Sequence, residues 1–403
     1  MIDFQLSEMQ DNIRQMVHWF AENEVRPMAL EADRTHQFPM AFFKKVKELG
    51  ISNGPVPESV GGDGDGAGGT KDKKGVKQNN RLGVIGAEEM GWGDPACILS
   101  LPGPGLGGPP VTIMGTPEQK KRFLSIFKEE EPHWGAYGLT EPGAGSDVAG
   151  IRTTAVRDGD HYVLNGTKCY ITNGARAAWV VIFATVDKSK GRAGHRAFVV
   201  EKGTPGFSVG KIEEKMGLRA SETAELVLDN VRVHQDCLLG GEKHYEGKEG
   251  FMGAMKTFDS TRPLVASMAV GIARAGYELA RDYVKDNFML GRPIARYHAV
   301  EAMLAKAKRR IDASRLLVWR AAWMADHGIE NVKEASMSKA YAARSAVEIM
   351  GDVVQIMGAA GVTNDQMVEK LYRDVKVYDI FEGTGEVQRI VISKRILKDL
   401  KAF

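Results

Sequence analysis

A chain of 403 residues is longer than one hydrophobic core usually spans, so two or three domains are expected. Apolar residues make up 43% and charged residues 26%, and a net charge of only +2 argues against a broad nucleic-acid or membrane-binding face. Cys97, Cys169 and Cys237 form no CxxC pair and no HExxH occurs, so neither a disulfide framework nor a metal site is expected.

The first residues, MIDFQLSEMQDNIRQ, carry no basic n-region and no apolar h-region, which is unlike a signal peptide. No apolar run approaches the roughly 20 residues of a membrane span, and a cytoplasmic setting is expected. Ser7-x-x-Gln10 is a capping-box pattern that opens a helix over 7–27, with Ile13, Met16, Val17 and Phe20 on one face and Pro27 ending or bending it. A second helix, MAFFKKVKELG, closes at Gly50, and others cover about 80–92 and 117–128. The loop between, rich in Gly, Asp and Lys, reads as a solvated insertion near 61–79.

From about 136 the period shifts toward two. Asn-Gly pairs at 165–166 and 173–174 and Asp158-Gly159 read as turns, the first two as hairpins. WVVIFATV, HRAFVVEKG and ETAELVLDNVRV read as strands of an antiparallel, all-β block. After about 250 helical spacing returns over 254–287, 296–327, 332–358 and beyond 383, which suggests a four-helix bundle. The expected organisation is an all-α domain over 1–135, a β-barrel domain over 136–248 and an α-helical bundle over 249–403.

Two stretches match G-x-G-x-x-G, at Gly64–Gly69 and Gly103–Gly108. Neither follows a strand and opens a helix in a βαβ unit, so each is read as loop or close-packed turn rather than a phosphate site. A third, YGLTEPGAGSD at 137–147, offers Thr140, Ser146 and turn backbone as donors. A neutral polar ligand, phosphate oxygens and an ordinary Pro-Gly turn all fit it. Near the end, YDIFEGTGEVQR places Glu382 between Phe381 and Gly383. An apolar neighbour raises a carboxylate's basicity, and a glycine leaves room for a substrate to approach.

YGLTEPGAGSDVAGI, GTKCYITNGARAAWVV, FDSTRPLVASMAVGIARAGYELA, QIMGAAGV and IFEGTGEVQRIVISKRIL resemble, in order, the signatures of the acyl-CoA dehydrogenase family. The resemblance covers essentially the whole chain. It implies FAD as cofactor, an acyl-CoA substrate, an electron-transfer flavoprotein as acceptor and a homotetramer. It makes Glu382 the catalytic base, with its own backbone N–H and a flavin hydroxyl on the thioester oxygen. The position some relatives use instead is Thr261 here. Phe258, Asp259, Arg262, Gly383 and Ser146 match substrate-contacting positions. Tyr137, Leu139, Thr140, Gly145, Ser146, Tyr170, Thr172, Thr384 and Glu386 match flavin contacts, and Gln355 and Gly358 match contacts to a neighbouring subunit's flavin.

Two departures from the family pattern bear on the site. Asn287 stands where many relatives place a pyrophosphate-binding Arg, with Arg292 and His298 at hand to compensate. A subunit of a heteromeric enzyme is the alternative this raises, and an oxidase using O₂ is another. SLPGPGLGGPP at 100–110 falls where the family lines its acyl pocket. Its glycines and prolines imply a wide pocket for a bulky or cyclic acyl group.

Overall fold

A computed structural model describes residues 4–54, 56, 57, 60, 62, 78–246 and 250–400, the side chains of 250–260 and 399–400 excepted. The 61–79 insertion, apart from residues 62, 78 and 79, and the Gly64–Gly69 motif lie outside the described residues.

Helix α1 (Glu8–Phe20) opens on the expected capping box, with Ser7 Oγ accepting from the Gln10 N–H at 3.3 Å and Gln10 Oε1 accepting from the Ser7 N–H at 3.0 Å. Pro27 does not end the helical run. A π-turn over Ala21–Val25 and a 3-10 turn over Arg26–Met28 carry it into α2 (Ala29–Thr35). The change of pitch moves aside the carbonyl that an unbroken α-helix would drive into the proline ring. Helix α3 (Met40–Glu48) is followed by Gly50 at φ +70°, as expected. Helix α4 (Asn79–Gly93) falls within a residue or so of its predicted span. The next two are α5 (Pro95–Ser100) and α6 (Gly108–Met114), whose prolines lie in the first turn, where the missing N–H costs nothing. Helix α7 (Pro117–Leu124), with a 3-10 turn over Ser125–Lys128, completes the first domain.

Seven strands form one curled sheet: β1 (Gly135–Gly138), β2 (Thr154–Asp158), β3 (His161–Thr172), β4 (Trp179–Thr185), β5 (His195–Glu201), β6 (Phe207–Ile212) and β7 (Thr223–His234). The order is β1-β4-β2-β3-β7-β6, with β5 also on β4. It is not wholly antiparallel, because β1 and β2 both run parallel to β4. Strand β4 is buried at every position, which accounts for an apolar run without alternation. The turn expected at Asp158-Gly159 is the β2–β3 hairpin. Asn165-Gly166 does not turn the chain. It lies inside β3 at a register shift, where a Cβ on Gly166 would stand 2.4 Å from Thr153 Oγ1. Asn173-Gly174 does turn the chain out of β3, but into β4, with which β3 does not pair.

The last domain is built from α8 (Gly250–Asp286), α9 (His298–Asp326), α10 (Val332–Met357) and α12 (Gly385–Leu400), with a shorter α11 (Met367–Val375) between the last two. Residues Val332–Val362 are long and apolar enough to span a bilayer, contrary to the sequence reading; here α10 packs inside the bundle. The cores do not follow the chain order. Helices α1 to α5 share one core with the bundle, whereas Val111, Met114, Phe123 and Leu124 of α6 and α7 belong to the core of the sheet.

One buried cluster joins the three domains. Lys370 on α11 donates to Asp94 Oδ1 at 3.1 Å and Asp374 Oδ2 at 2.6 Å, and Asp374 Oδ1 accepts from the Leu218 N–H at 2.5 Å. All three side chains are fully buried. Burial pulls the Lys370 ammonium down, but Asp374 and Asp94 more than offset it and the net shift is upward. Removing the cation alone strands two carboxylates away from water, so K370M is expected to lower stability by about 3–5 kcal/mol. The triple variant D94N/K370M/D374N is expected to recover much of that loss in thermal unfolding, because it leaves no buried charge unpaired.

Candidate active site

The loop between α11 and α12 carries Glu382 in the left-handed region, at φ +56°, followed by Gly383 at φ +87°. For a residue with a Cβ this conformation costs on the order of 1 kcal/mol and persists only where surrounding contacts hold it. Those contacts are visible. Phe381 packs edge-on against fully buried Tyr378, with ring centroids 4.9 Å apart. Gln388 Nε2 on α12 donates to the carbonyls of Glu382 and Gly383 at 3.1 and 3.0 Å. Lys339 Nζ on α10 donates to the Gly383 carbonyl at 2.7 Å. Thr261 Oγ1 on α8 donates to Glu382 Oε2 at 2.9 Å.

The carboxylate is thus held among three helices. Burial pushes its pKa up, while the Thr261 hydroxyl, Arg262 and Lys339 pull it back; the net shift is upward. Tyr137, at the end of β1, faces the same charge: burial and the field of Glu382 together raise its phenol well above the ordinary range. The sheet and the bundle therefore meet at this point. Thr261 fills the position at which some relatives place their base, and its hydroxyl reaches the carboxylate from there. Arg262 also contacts α10, with Nη1 3.5 Å from Ser336 Oγ.

The second wall is the turn after β1. Glu141 and Ala144 exchange backbone hydrogen bonds across it. Buried Lys168 on β3 donates to the Leu139 carbonyl at 3.2 Å and to Glu141 Oε1 at 2.6 Å, and Glu141 also accepts from the N–H groups of Arg152 and Thr153. This internal satisfaction leaves Gly145 and Ser146 presented outward. Tyr170 stands at a register shift of β3 with φ +58° and is 66% exposed, an unusual placement for an aromatic ring. Thr172, half-buried, follows two residues on. A flat exposed ring beside a donor-bearing turn fits a planar, phosphate-bearing group such as a flavin nucleotide.

The other predicted residues are placed as follows. Thr384 and Glu386 start α12; the Thr384 hydroxyl accepts from the Val387 N–H at 3.3 Å, and the exposed Glu386 carboxyl is held low by its own amide and Thr384. His298, Gln355 and Gly358 lie on the exposed surface, at the start of α9 and the end of α10; among the described residues none bonds to the Glu382 cluster. Asn287 caps the end of α8, Nδ2 donating to the Tyr283 carbonyl at 2.8 Å. Phe258 and Asp259 lie on the helical backbone of α8, and their side chains are outside the described residues.

Three residues of the site do not appear in the sequence reading: Lys168, Lys339 and Gln388. Lys339 does leave a signal, because it occupies the buried stripe Ala335–Ala342–Ala346–Ile349–Val353 of α10, where a lysine is out of place. The wide pocket expected from 100–110 loses its basis. A Cβ on Gly103 would lie 2.7 Å from Asn53 O, on Gly105 3.2 Å from Gly135 O, on Gly107 2.6 Å from Ala136 O, and on Gly108 2.8 Å from Pro104 Cβ. The missing side chains let segments pack closely and do not open space.

Comparison with known proteins identifies the family. Family models for the acyl-CoA dehydrogenase N-terminal, middle and C-terminal domains match residues 7–130, 136–231 and 248–397. A short-chain-specific acyl-CoA dehydrogenase of Clostridium acetobutylicum is 40% identical over 98% of this chain and 100% of its own. A 3-(aryl)acrylate reductase of Clostridium sporogenes is 39% identical over 97% of this chain and 99% of its own. The solved butyryl-CoA dehydrogenase of Megasphaera elsdenii superimposes with a TM-score of 0.88 at 35% identity, covering 98% of this chain and all of that one.

Glu382 is expected to titrate above the usual carboxylate range. Substituting T261V removes the donor that favours the ionised form and is expected to move the titration higher still. The carboxyl band in infrared difference spectra against E382Q, followed over pH, measures both; a midpoint near that of a free glutamate would contradict the geometry.

Proposed function

Because this chain belongs to the acyl-CoA dehydrogenase family, FAD-dependent oxidoreductases acting on acyl-CoA, we propose that it oxidises the Cα–Cβ bond of an acyl-CoA thioester with Glu382 as the base. The observation that supports the reading is a half-buried carboxylate of raised basicity, bonded to Thr261 of α8 and close enough to β1 that its charge acts on Tyr137. Glu382 takes the α-proton; Thr261 fixes Oε2 and leaves Oε1 for the transfer. The backbone N–H of Glu382 serves as donor to the thioester oxygen; Gln388 holds the carbonyl of that residue and Lys339 the carbonyl of the next, Gly383. Tyr137, Leu139, Thr140, Gly145, Ser146, Tyr170 and Thr172 would hold the flavin, which when bound would supply the acceptor for the β-hydride.

Relatives named for short-chain acyl-CoA and butyryl-CoA support a short acyl chain in place of the bulky or cyclic group expected from sequence, whose glycines serve close packing. An electron-transfer flavoprotein as acceptor, a homotetramer completed by Gln355, Gly358 and His298 at a neighbour's flavin, and a cytoplasmic setting belong to the same proposal. One relative, the arylacrylate reductase, favours a second reading in which the reaction runs the other way and protonated Glu382 returns the proton.

Anaerobic mixing of the flavin-loaded protein with acyl-CoA tests the function. Butyryl-CoA is expected to bleach the flavin band faster than cyclohexanecarbonyl-CoA, and the reverse order would return the pocket to the bulky class. E382Q is expected to slow bleaching on the order of 10²- to 10⁴-fold while keeping the flavin bound. Rapid bleaching by E382Q would remove Glu382 from the chemistry.

A further inference from the structure

Lys339 is among the largest side chains with no exposed surface, yet its ammonium is aimed at a backbone carbonyl, that of Gly383, at 2.7 Å. The charged groups facing it come from every element around it: Arg262 on α8, Asp379 in the turn before the site, Glu382 itself and Glu386 on α12. Glu382 in turn faces Thr261, Arg262 and Lys339, and its charge reaches Tyr137 on β1. A buried ammonium is costly to keep, and a methionine of similar length fills the same space without charge.

We propose that Lys339 is a positioning residue for the proton transfer: it pins the Gly383 carbonyl, holds the left-handed bend that aims Glu382, and supplies part of the positive field that sets how readily that carboxyl ionises. The proposal rests on Glu382 being the base. Burial brings the Lys339 pKa down to about 8, with Asp379 and Glu382 opposing. Its hydrogen bond goes to a backbone carbonyl rather than to a carboxylate, so the lysine acts here as a donor and a field rather than as one half of a tight ion pair.

The test compares K339M, which loses donor and charge, with K339Q, which keeps an amide donor, and with E382Q, all loaded with FAD. K339M is expected to lose on the order of 10- to 100-fold in kcat, with acyl-CoA KM within about twofold of the parent. Without the lysine charge, the acid limb of kcat/KM moves to higher pH by about half a unit or more in both lysine variants. K339Q recovers part of kcat while its limb stays displaced, and flavin content measured from the 450 nm band stays at the parent level. An unmoved limb in K339Q and K339M overturns the proposal, whether or not the rate has fallen, because a merely structural lysine moves no titration. If K339M does not accumulate as flavin-loaded protein, the limb of K339Q decides alone. An active E382Q sinks the reading of the base; an inactive E382Q beside lysine variants with an unmoved limb sinks only the role of Lys339.

Discussion

Lys370 makes one molecule of three domains. Its ammonium binds Asp94, the cap of α5 in the first domain, and Asp374 on its own helix, which in turn takes the Leu218 N–H of the β domain. Arg373, three residues further along α11, makes a second, largely buried link, bonding Asp33 of α2 and the Met216 carbonyl. The charges are buried, so their attraction is little screened and depends steeply on geometry. Domains that slide by an ångström lose hydrogen bonds that water does not replace. The loop that carries Glu382 follows α11, so the cluster that fixes the domains also fixes where that carboxylate emerges.

The site uses the same device on a smaller scale. Two backbone segments must keep shapes that helices and strands do not impose: the turn after β1 and the bend at Glu382–Gly383. Each is held by a buried lysine on a neighbouring element, Lys168 on β3 at the Leu139 carbonyl and Lys339 on α10 at the Gly383 carbonyl. Burial brings both ammonium groups down to about 8. A loop fastened in this way keeps its donors in place before substrate arrives, so little order remains to be imposed at the moment of reaction. The strain at Glu382 and the exposure of Tyr170 persist because their surroundings are rigid.

What could be read from sequence was local. Ser7 and Gln10 announce the start of α1 because a capping box is closed within four residues, and Asp158-Gly159 announces a turn because the chain reverses at that dipeptide. Asn165-Gly166 carries the same type of signal and misleads, because Thr153 on another segment decides that the glycine serves a close approach inside a strand. The parallel neighbours of β4 are chosen by chain segments far away, and alternation of side chains does not encode direction. Glu382 was legible from its motif and the family resemblance. Its supports were not: Gln388 and Lys339 act through tertiary contacts, and only the misplaced charge on the α10 stripe hints at one of them. The glycines of 100–110 were read as space, while the fold uses them for contact.

The left-handed backbone at Glu382 has an evolutionary consequence. Glycine adopts that conformation without penalty, so a single nucleotide change that turns this glutamate codon into a glycine codon relieves strain as it removes the carboxylate. The carboxylate is thus easier to lose than the loop that carries it. The side chain it would leave behind as nearest neighbour is Thr261, already within hydrogen-bonding distance of the same spot from a different helix. A lineage on this scaffold can therefore discard its carboxylate without unfolding, and can regain one across the gap from α8.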